Sequence, residues 1–208
     1  MNALLLIPSK YELELCPPVK RYERYNEFLY RFFFSGEISV LVGITGIGKL
    51  NVAKFFDELD AKTKSQVDMF FSIGTCGLTG NIQNVNIGDS YVSNEITYEK
   101  LNYKIDLKII NEFLLSKRNV HIGKSLTTDN YLTEMDNTSP SFFSVDMEGF
   151  HIYQYCKLIK KWFLNIRIIS DFCNPSEHIN QISIKENLIK RYKLLILETI
   201  KFLKEIPL

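Results

Sequence analysis

The 208-residue sequence lacks the features that identify several common classes of protein. No apolar run approaches the roughly 18 residues that a membrane-spanning helix needs. The apolar opening, residues 1–7, has neither the basic start nor the length of a signal peptide, and is predicted to form a strand. The chain contains no linker rich in glycine, serine or proline, and no internal repeat. We therefore expect no membrane contact and a single domain over residues 1–208.

An excess of charge of one sign is also absent. The 25 lysines and arginines offset 24 aspartates and glutamates, so the formal net charge is +1 at pH 7. A domain that binds nucleic acid normally carries a basic excess, so we expect no nucleic-acid partner. Because 46% of the residues are hydrophobic, an intrinsically disordered chain is excluded.

Cysteine is scarce and widely spaced. The four cysteines are Cys16, Cys76, Cys156 and Cys173, and no two of them form a CxxC pair. This spacing is typical of reduced thiols in a cytoplasmic protein and not of a disulfide framework. The histidines show no metal-ligand spacing either, so no metal site is predicted.

Short β-rich segments alternate with amphipathic helical ones along the chain. Strands are predicted at residues 3–7, 28–34, 38–42, 67–73, 90–96, 120–124 and 163–169, and helices at 50–59, 107–115, 147–159 and 185–204. The strands around residues 35–37 are predicted to form a hairpin, which makes the sheet mixed and not purely parallel. The fold class that follows is α/β, a mixed β-sheet flanked by helices.

One segment imitates a phosphate-binding loop. Residues 43–49 match the pattern GxxxxGK, but the next residue is Leu50 where a serine or threonine hydroxyl would bind magnesium. The missing metal ligand argues against phosphoryl transfer. The glycines still predict a turn at which the backbone closely approaches a neighbour or ligand, with Ile47 as an apolar wall.

Polar groups follow several of the predicted strands. They occupy residues 9–12, 74–77, 127–131 and 170–171, and an acidic segment, 146–149, opens a predicted helix. Ligands bind at the carboxyl ends of strands in open α/β sheets, so we expect these groups to share one edge. Each carboxylate alone could be structural, Glu12 as a surface charge and Asp171 as a cap. Two carboxylates meeting there would suit acid–base cleavage of a glycosidic bond.

Taken in order, these segments resemble the nucleoside phosphorylase and nucleosidase superfamily. The resemblance rests on Glu12, Gly46-Ile47-Gly48-Lys49, Gly74-Thr75-Cys76-Gly77, Gly88-Asp89, Thr128-Asp129-Asn130-Tyr131, Val145-Asp146-Met147-Glu148-Gly149 and Arg167-Ile168-Ile169-Ser170-Asp171. Within the superfamily, the sequence is most similar to the methylthioadenosine/S-adenosylhomocysteine nucleosidases. The resemblance implies a twisted mixed sheet, a homodimer, a nucleoside substrate, a part in methionine salvage, and no metal or organic cofactor.

The same resemblance implies roles for the matched residues. Asp171, held by Ser170, would protonate the departing purine, and Glu12 would deprotonate a water molecule. Glu148 would accept hydrogen bonds from the ribose hydroxyls, with Met147 against the sugar face.

Further positions are implied to line the substrate. Tyr131 would stack on the purine, unless it is a core tyrosine, and backbone groups of Leu132 would contact the edge of the base. Arg167 would brace the site from behind. The remaining implied substrate-binding residues are Ile47, Thr75, Cys76 and Gly77.

Hydrolysis is favoured over phosphorolysis. A phosphorylase needs arginines or comparable donors to hold phosphate. The resemblance implies that they would lie in the first loop and at position 72, but residues 8–12 contain no arginine and position 72 is Ser72. Glu12 would also repel phosphate.

We therefore expect an N-glycosyl hydrolase acting on methylthioadenosine, S-adenosylhomocysteine or 5′-deoxyadenosine, because an acid at Asp171 suits adenine. The segment 95–111 is shorter than nucleosidases usually have, which leaves the 5′ group open. The alternatives are a futalosine hydrolase, a purine nucleoside phosphorylase of the same fold, and a nucleoside-binding protein without turnover.

Overall fold

Ten β-strands form one sheet in this computed structural model, which describes residues 2–14, 17–33, 39–80, 84–106, 108, 120–130, 143–173 and 181–205. The strands are β1 (Ala3–Ile7), β2 (Arg21–Arg24), β3 (Leu29–Phe33), β4 (Ser39–Ile44), β5 (Met69–Thr79), β6 (Ser90–Tyr98), β7 (Leu101–Lys104), β8 (Val120–Thr127), β9 (Phe143–Asp146) and β10 (Trp162–Asp171). The helices are α1 (Lys10–Glu14), α2 (Lys49–Glu58), α3 (Ala61–Gln66), α4 (Gly149–Leu158) and α5 (Gln181–Glu205). No helix in these described segments is long and apolar enough to span a membrane.

Part of the sheet closes on itself. Strand β10 pairs with β5 on one side and with β6 on the other. Because β6 pairs with β8, β8 with β9 and β9 with β5, these five strands form a closed ring. The remaining strands extend from β5 in the order β1, β4, β3 and β2, and β7 pairs with β6.

The central strands run in one direction. β4, β1, β5 and β10 are parallel neighbours, and their carboxyl ends therefore lie at the same edge of the sheet. β1 reads Ala-Leu-Leu-Leu-Ile and is buried from Leu4 onward, as expected for a strand covered on both faces.

Helix α2 shows how the local sequence builds the core. It follows Gly48, whose φ of +81° is a conformation that few other residues adopt. Val52, Phe55 and Phe56 are buried on one face at the i, i+3 and i+4 spacing. The Phe56 ring stacks on Tyr155 of α4, with the ring centroids 4.6 Å apart, so α2 and α4 are joined by this contact.

Most predicted elements are confirmed with small shifts in their bounds. The hairpin is present as β3 and β4, and the closing helix as α5. The helix predicted to start at residue 147 begins at Gly149 instead. The helix predicted at residues 107–115 lies outside the described residues.

The prediction that a strand ends at Ile73 is wrong. β5 continues through Gly74 and Gly77 to Thr79. These glycines are not turn residues. A Cβ at Gly77 would lie 2.4 Å from Cys173 Sγ, so only a glycine at this position of β5 leaves room for the Cys173 side chain.

Candidate active site

The acidic residue of the first polar segment lies on a helix and not in the loop that the sequence suggested. Glu12 belongs to α1, directly after β1. The amide of Glu12 donates to Ser9 Oγ at 3.1 Å, and the Ser9 hydroxyl donates back to Glu12 Oε2 at 3.1 Å. Ser9 and Glu12 also match the S-x-x-E sequence pattern of a helix start, a signal that could have predicted α1.

Strand β5 holds the Glu12 carboxylate. Thr75 donates its amide to Glu12 Oε1 at 2.9 Å and its hydroxyl to the same oxygen at 3.3 Å. The carboxylate is buried, and burial raises the pKa of Glu12, although the hydrogen bonds and the charge of Arg167 oppose the rise. A raised pKa makes the Glu12 carboxylate a stronger base than a carboxylate in water.

Glu148 is the second buried carboxylate of this edge. Its Oε1 accepts a hydrogen bond from the amide of Gly48 at 3.2 Å. Burial raises the pKa of Glu148 to about 7, the charges of Asp146 and Glu12 add to the rise, and Arg167 opposes it. The loop that imitates a phosphate-binding loop therefore directs an amide at a carboxylate of its own chain.

Arg167 lies beneath these carboxylates and is completely buried. Its Nε donates to Asp146 Oδ2 at 3.2 Å and its Nη1 donates to Ser72 Oγ at 2.9 Å. Nη2 lies 4.0 Å from Glu148 Oε2. Ser72, the position where a phosphorylase would have an arginine, therefore accepts a hydrogen bond from an arginine of the neighbouring strand.

Asp171 ends β10, just beyond a bulge at Ser170. Its Oδ1 accepts a hydrogen bond from the amide of Cys173 at 2.9 Å. Ser170 Oγ lies 2.8 Å from Asp171 Oδ2 and 2.9 Å from the carbonyl oxygen of Cys76, so its single proton can be donated to either. Asp171 is paired with Gly77, whose missing side chain leaves the space that the Asp171 carboxylate occupies.

Strand β5 thus sets the spacing of the two outer carboxylates. Glu12 is held at Thr75 and Asp171 stands beside Gly77, two residues further along. Residues two apart in a strand share a face and lie about 7 Å from each other. Thr75 and Gly77 are both partly exposed, whereas Cys76 and Leu78 between and after them are buried, so this face is the accessible one.

The other predicted site residues are distributed around this edge. Ile47 is exposed on the turn before α2, and Met147 is half-buried beside Glu148. The Cys76 side chain packs in a core cluster with Tyr91 and Ile169, and burial raises the pKa of its thiol, which argues against a nucleophilic thiolate. Tyr131 and Leu132 lie outside the described residues.

Two residues of the site were assigned no role from the sequence, although Asp146 lies in the matched segment 145–149. Asp146 accepts hydrogen bonds from Thr127 Oγ1 at 2.7 Å and from the amide of Gly149 at 3.0 Å. Asn165 donates to the other oxygen of Asp146 at 3.1 Å. A polar residue at Asn165, between the apolar Leu164 and Ile166, was the signal that could have identified it.

No group of three or more histidine, cysteine, aspartate or glutamate side chains in the described part of the chain could hold a metal ion. The site is therefore built from carboxylates, hydroxyls, backbone amides and one buried arginine. The fold defines the class at the level of architecture: an α/β fold with a mixed sheet and flanking helices.

Comparison with solved structures gives the particular relatives within that class. The chain is similar to the 5′-methylthioadenosine/S-adenosylhomocysteine nucleosidase of Campylobacter jejuni, with a TM-score of 0.78 and 17% identity, covering 99% of this chain and 100% of that one. It is also similar to the S-adenosylhomocysteine nucleosidase of Streptococcus pyogenes in complex with 5-methylthiotubericidin, with a TM-score of 0.75 and 19% identity, covering 100% and 98% of the two chains.

A third relative is the MTA/SAH nucleosidase of Streptococcus pneumoniae in complex with 8-aminoadenine. The TM-score is 0.74 at 18% identity, with 99% of this chain and 100% of that chain covered. No protein-family model matches the sequence. No curated protein matches it at a significant level. At these identities the likeness establishes the fold.

Proposed function

We propose that this chain hydrolyses the N-glycosidic bond of an adenine nucleoside, releasing adenine and a ribose derivative. The observation that carries the proposal is the placement of Glu12 and Asp171 at Thr75 and Gly77, on one accessible face of β5, with Glu148 at the same edge. The three similar nucleosidases, two of them solved with adenine-like ligands, support the same chemistry.

In the proposed reaction, Glu12 orients a water molecule and takes its proton. Burial raises the pKa of Glu12 and so strengthens it as a base. The sugar gains positive charge as the glycosidic bond breaks, and the buried carboxylates at this edge stabilise that charge electrostatically. Glu148 accepts hydrogen bonds from the ribose hydroxyls, with Met147 against the sugar.

Asp171 donates the proton that the leaving purine needs. Two contacts orient its carboxyl group, the Cys173 amide on Oδ1 and the Ser170 hydroxyl on Oδ2. A carboxylic acid can protonate a purine nitrogen, whereas an amide at the same position cannot.

Water is favoured over phosphate as the nucleophile. Glu12, Asp146 and Glu148 place three carboxyl groups in the site, and the buried Arg167 is already bonded to Asp146 and Ser72. A phosphate dianion next to Glu12 would meet repulsion without a free arginine among the described residues of this edge.

Several finer statements stay predictions. They are a 5′-alkylthio substituent on the substrate, the roles of Tyr131 and Leu132 at the purine, the homodimer, the cytoplasmic location, a part in methionine salvage, and one domain over residues 1–208. Ile47, exposed at the turn before α2, is an apolar residue suited to contact a 5′-alkylthio group.

The test is a panel of adenine nucleosides incubated without phosphate, with the liberated base measured by chromatography. We expect adenine release from methylthioadenosine or a related 5′-deoxy nucleoside. Glu12→Gln should abolish release, whereas Glu58→Gln, an exposed glutamate on α2 that pairs with Lys54, should leave it unchanged. Release that requires phosphate would indicate a phosphorylase, and binding without release would indicate a binding protein.

A further inference from the structure

A chain of buried polar side chains crosses the ring of strands behind the proposed site. Its members come from four strands: Ser93 of β6, Ser125 of β8, Ser144 of β9 and Asn165 of β10. All four are essentially inaccessible to solvent. Hydrogen bonds join Asn165 to Ser93, Ser93 to Ser125, and Ser125 to Ser144.

Asn165 is the end of this chain that reaches the site. Its Nδ2 donates to Ser93 Oγ at 2.9 Å and to Asp146 Oδ2 at 3.1 Å, so both amide hydrogens are used. β9 and β10 are not neighbours in the sheet, so the bond from Asn165 to Asp146 spans the interior of the ring.

The orientation of this amide is held at a cost in stability. Asn165 Oδ1 is buried and has no hydrogen-bond partner among the described residues. An unpaired buried acceptor destabilises the folded protein. The opposite orientation would direct the amide oxygen at the Asp146 carboxylate and lose both donated bonds. Asp146 therefore fixes the orientation of the amide.

The guanidinium group of Arg167 lies between Asp146 and Glu148 and interacts with both. Arg167 Nη2 lies 3.2 Å from Asp146 Oδ2 and 4.0 Å from Glu148 Oε2. The oxygen of Asp146 that receives Asn165 is the same one that faces the guanidinium. The hydrogen bond from Asn165 partly offsets the negative charge of Asp146 Oδ2. If that bond is lost, Asp146 attracts Arg167 more strongly, and Arg167 then interacts less with Glu148.

We propose that Asn165 is a positioning residue: by donating to Asp146 it sets how Arg167 is shared between Asp146 and Glu148, and thereby the charge of Glu148. The importance of that charge for catalysis rests on the proposed function, in which Glu148 binds ribose. The contacts that link Asn165 to Glu148 through Asp146 and Arg167 do not depend on the proposed function.

The groups that face Glu148 fix the direction of the effect. They are Arg167 on β10, Asp146 on β9, Glu12 on α1 and the amide of Gly48. Without the Asn165 donor, the charge on Asp146 is less compensated, so Asp146 repels the Glu148 carboxylate more strongly and holds Arg167 more closely. Both changes favour the protonated form of Glu148.

The test is a carbon-13 NMR titration of the side-chain carboxyl group of Glu148, assigned with Glu148→Gln, in the ligand-free protein. Asn165→Leu keeps a similar volume and removes both donors. We expect the titration midpoint of Glu148 to rise by about 0.5 pH unit or more. Ser144→Ala is the matched control, because it removes a buried hydroxyl at the far end of the same chain and should leave the midpoint unchanged.

An unchanged or lowered midpoint in Asn165→Leu would overturn the proposal, as would an equal rise in Ser144→Ala. If the leucine variant does not fold, Asn165→Ala decides, since it also removes both donated bonds. A rise of the midpoint is expected for this variant too, and no rise overturns the proposal. The titration needs no substrate, so its failure is distinct from a failure of adenine release.

Discussion

Asp171 shows how much of the proposed chemistry depends on one proton. Its neighbours, the Cys173 amide and the Ser170 hydroxyl, hold the carboxyl group in place whether or not it carries that proton. An asparagine has nearly the same shape and can still accept from Cys173. We therefore expect Asp171→Asn to separate the chemical step from binding.

In Asp171→Asn, adenine release should fall by about 10²-fold or more, the typical contribution of a positioned acid. Nucleoside binding should stay within about tenfold, equivalent to about 1.4 kcal/mol. Chromatography of the base and calorimetric titration measure the two effects. Near-native turnover in this variant would remove Asp171 from the role of proton donor.

Glu148 makes binding dependent on pH. With a pKa of about 7, it is mostly protonated at pH 6 and mostly ionised at pH 8 in the free protein. Ribose hydroxyls donate to the ionised form, so binding favours loss of the proton and affinity should rise with pH. Between pH 6 and pH 8 we expect a rise of about tenfold for a non-hydrolysable adenine nucleoside.

The control for this pH dependence is the corresponding 2′,3′-dideoxy nucleoside. It cannot donate these hydrogen bonds, so its affinity should stay nearly constant over the same range. Isothermal titration calorimetry at several pH values measures both ligands. A rise of the same size for the dideoxy compound would show that Glu148 does not bind the ribose hydroxyls.

Among the secondary-structure elements, β5 contributes most to the site. It supplies the Thr75 donors for Glu12, and at Gly77 it leaves space for Asp171. A Cβ at Gly77 would approach Cys173 Sγ to 2.4 Å and Asp171 Oδ1 to 2.9 Å. The strand therefore tolerates no side chain at this position without a shift of the carboxyl group.

Gly77→Ala should reduce adenine release by at least about 10²-fold, since a displacement of about 1 Å can cost that much in catalysis. Crowding should also destabilise the fold by about 1–3 kcal/mol. Gly123→Ala is the matched control, because Gly123 lies on β8 at a position to which we assign no role in the site, and a Cβ there would crowd the Tyr91 hydroxyl of β6. That variant should lose stability but keep the activity of the folded fraction, as measured by thermal unfolding and base release.

The elements differ in how well the sequence predicts them, for physical reasons. β1 and α2 have strong apolar patterns, and both were predicted closely. β2, Arg21–Arg24, is exposed at all four positions and offers no hydrophobic alternation. β9 has only four residues and exists through pairing with β5 and β8, which are distant in the sequence. The sequence pattern within a strand does not indicate which distant strands it pairs with.

For the whole molecule, the order of the polar segments predicted that they would meet at one edge. The parallel alignment of β4, β1, β5 and β10 confirms this for the polar segments carried by these strands. Residues 127–130 and 146–149 lie at the ends of β8 and β9 instead, and β9 runs antiparallel to β5. The arrangement of the acidic residues around a shared buried Arg167 could not be predicted, because it depends on strand register. The register places Arg167 beside Gly74 and Asp171 beside Gly77.

The closed ring also divides the backbone into amides with very different rates of exchange with heavy water. Amides of β5 lie between hydrogen-bonded neighbours, and freeing them requires disruption of the ring itself. β2 ends the sheet on its open side and is exposed, so its amides can be freed by local fraying. Deuterium uptake measured by mass spectrometry should therefore be slowest in peptides from β5 and fast in those from β2. Equal uptake in the two would mean that the ring opens as readily as the edge.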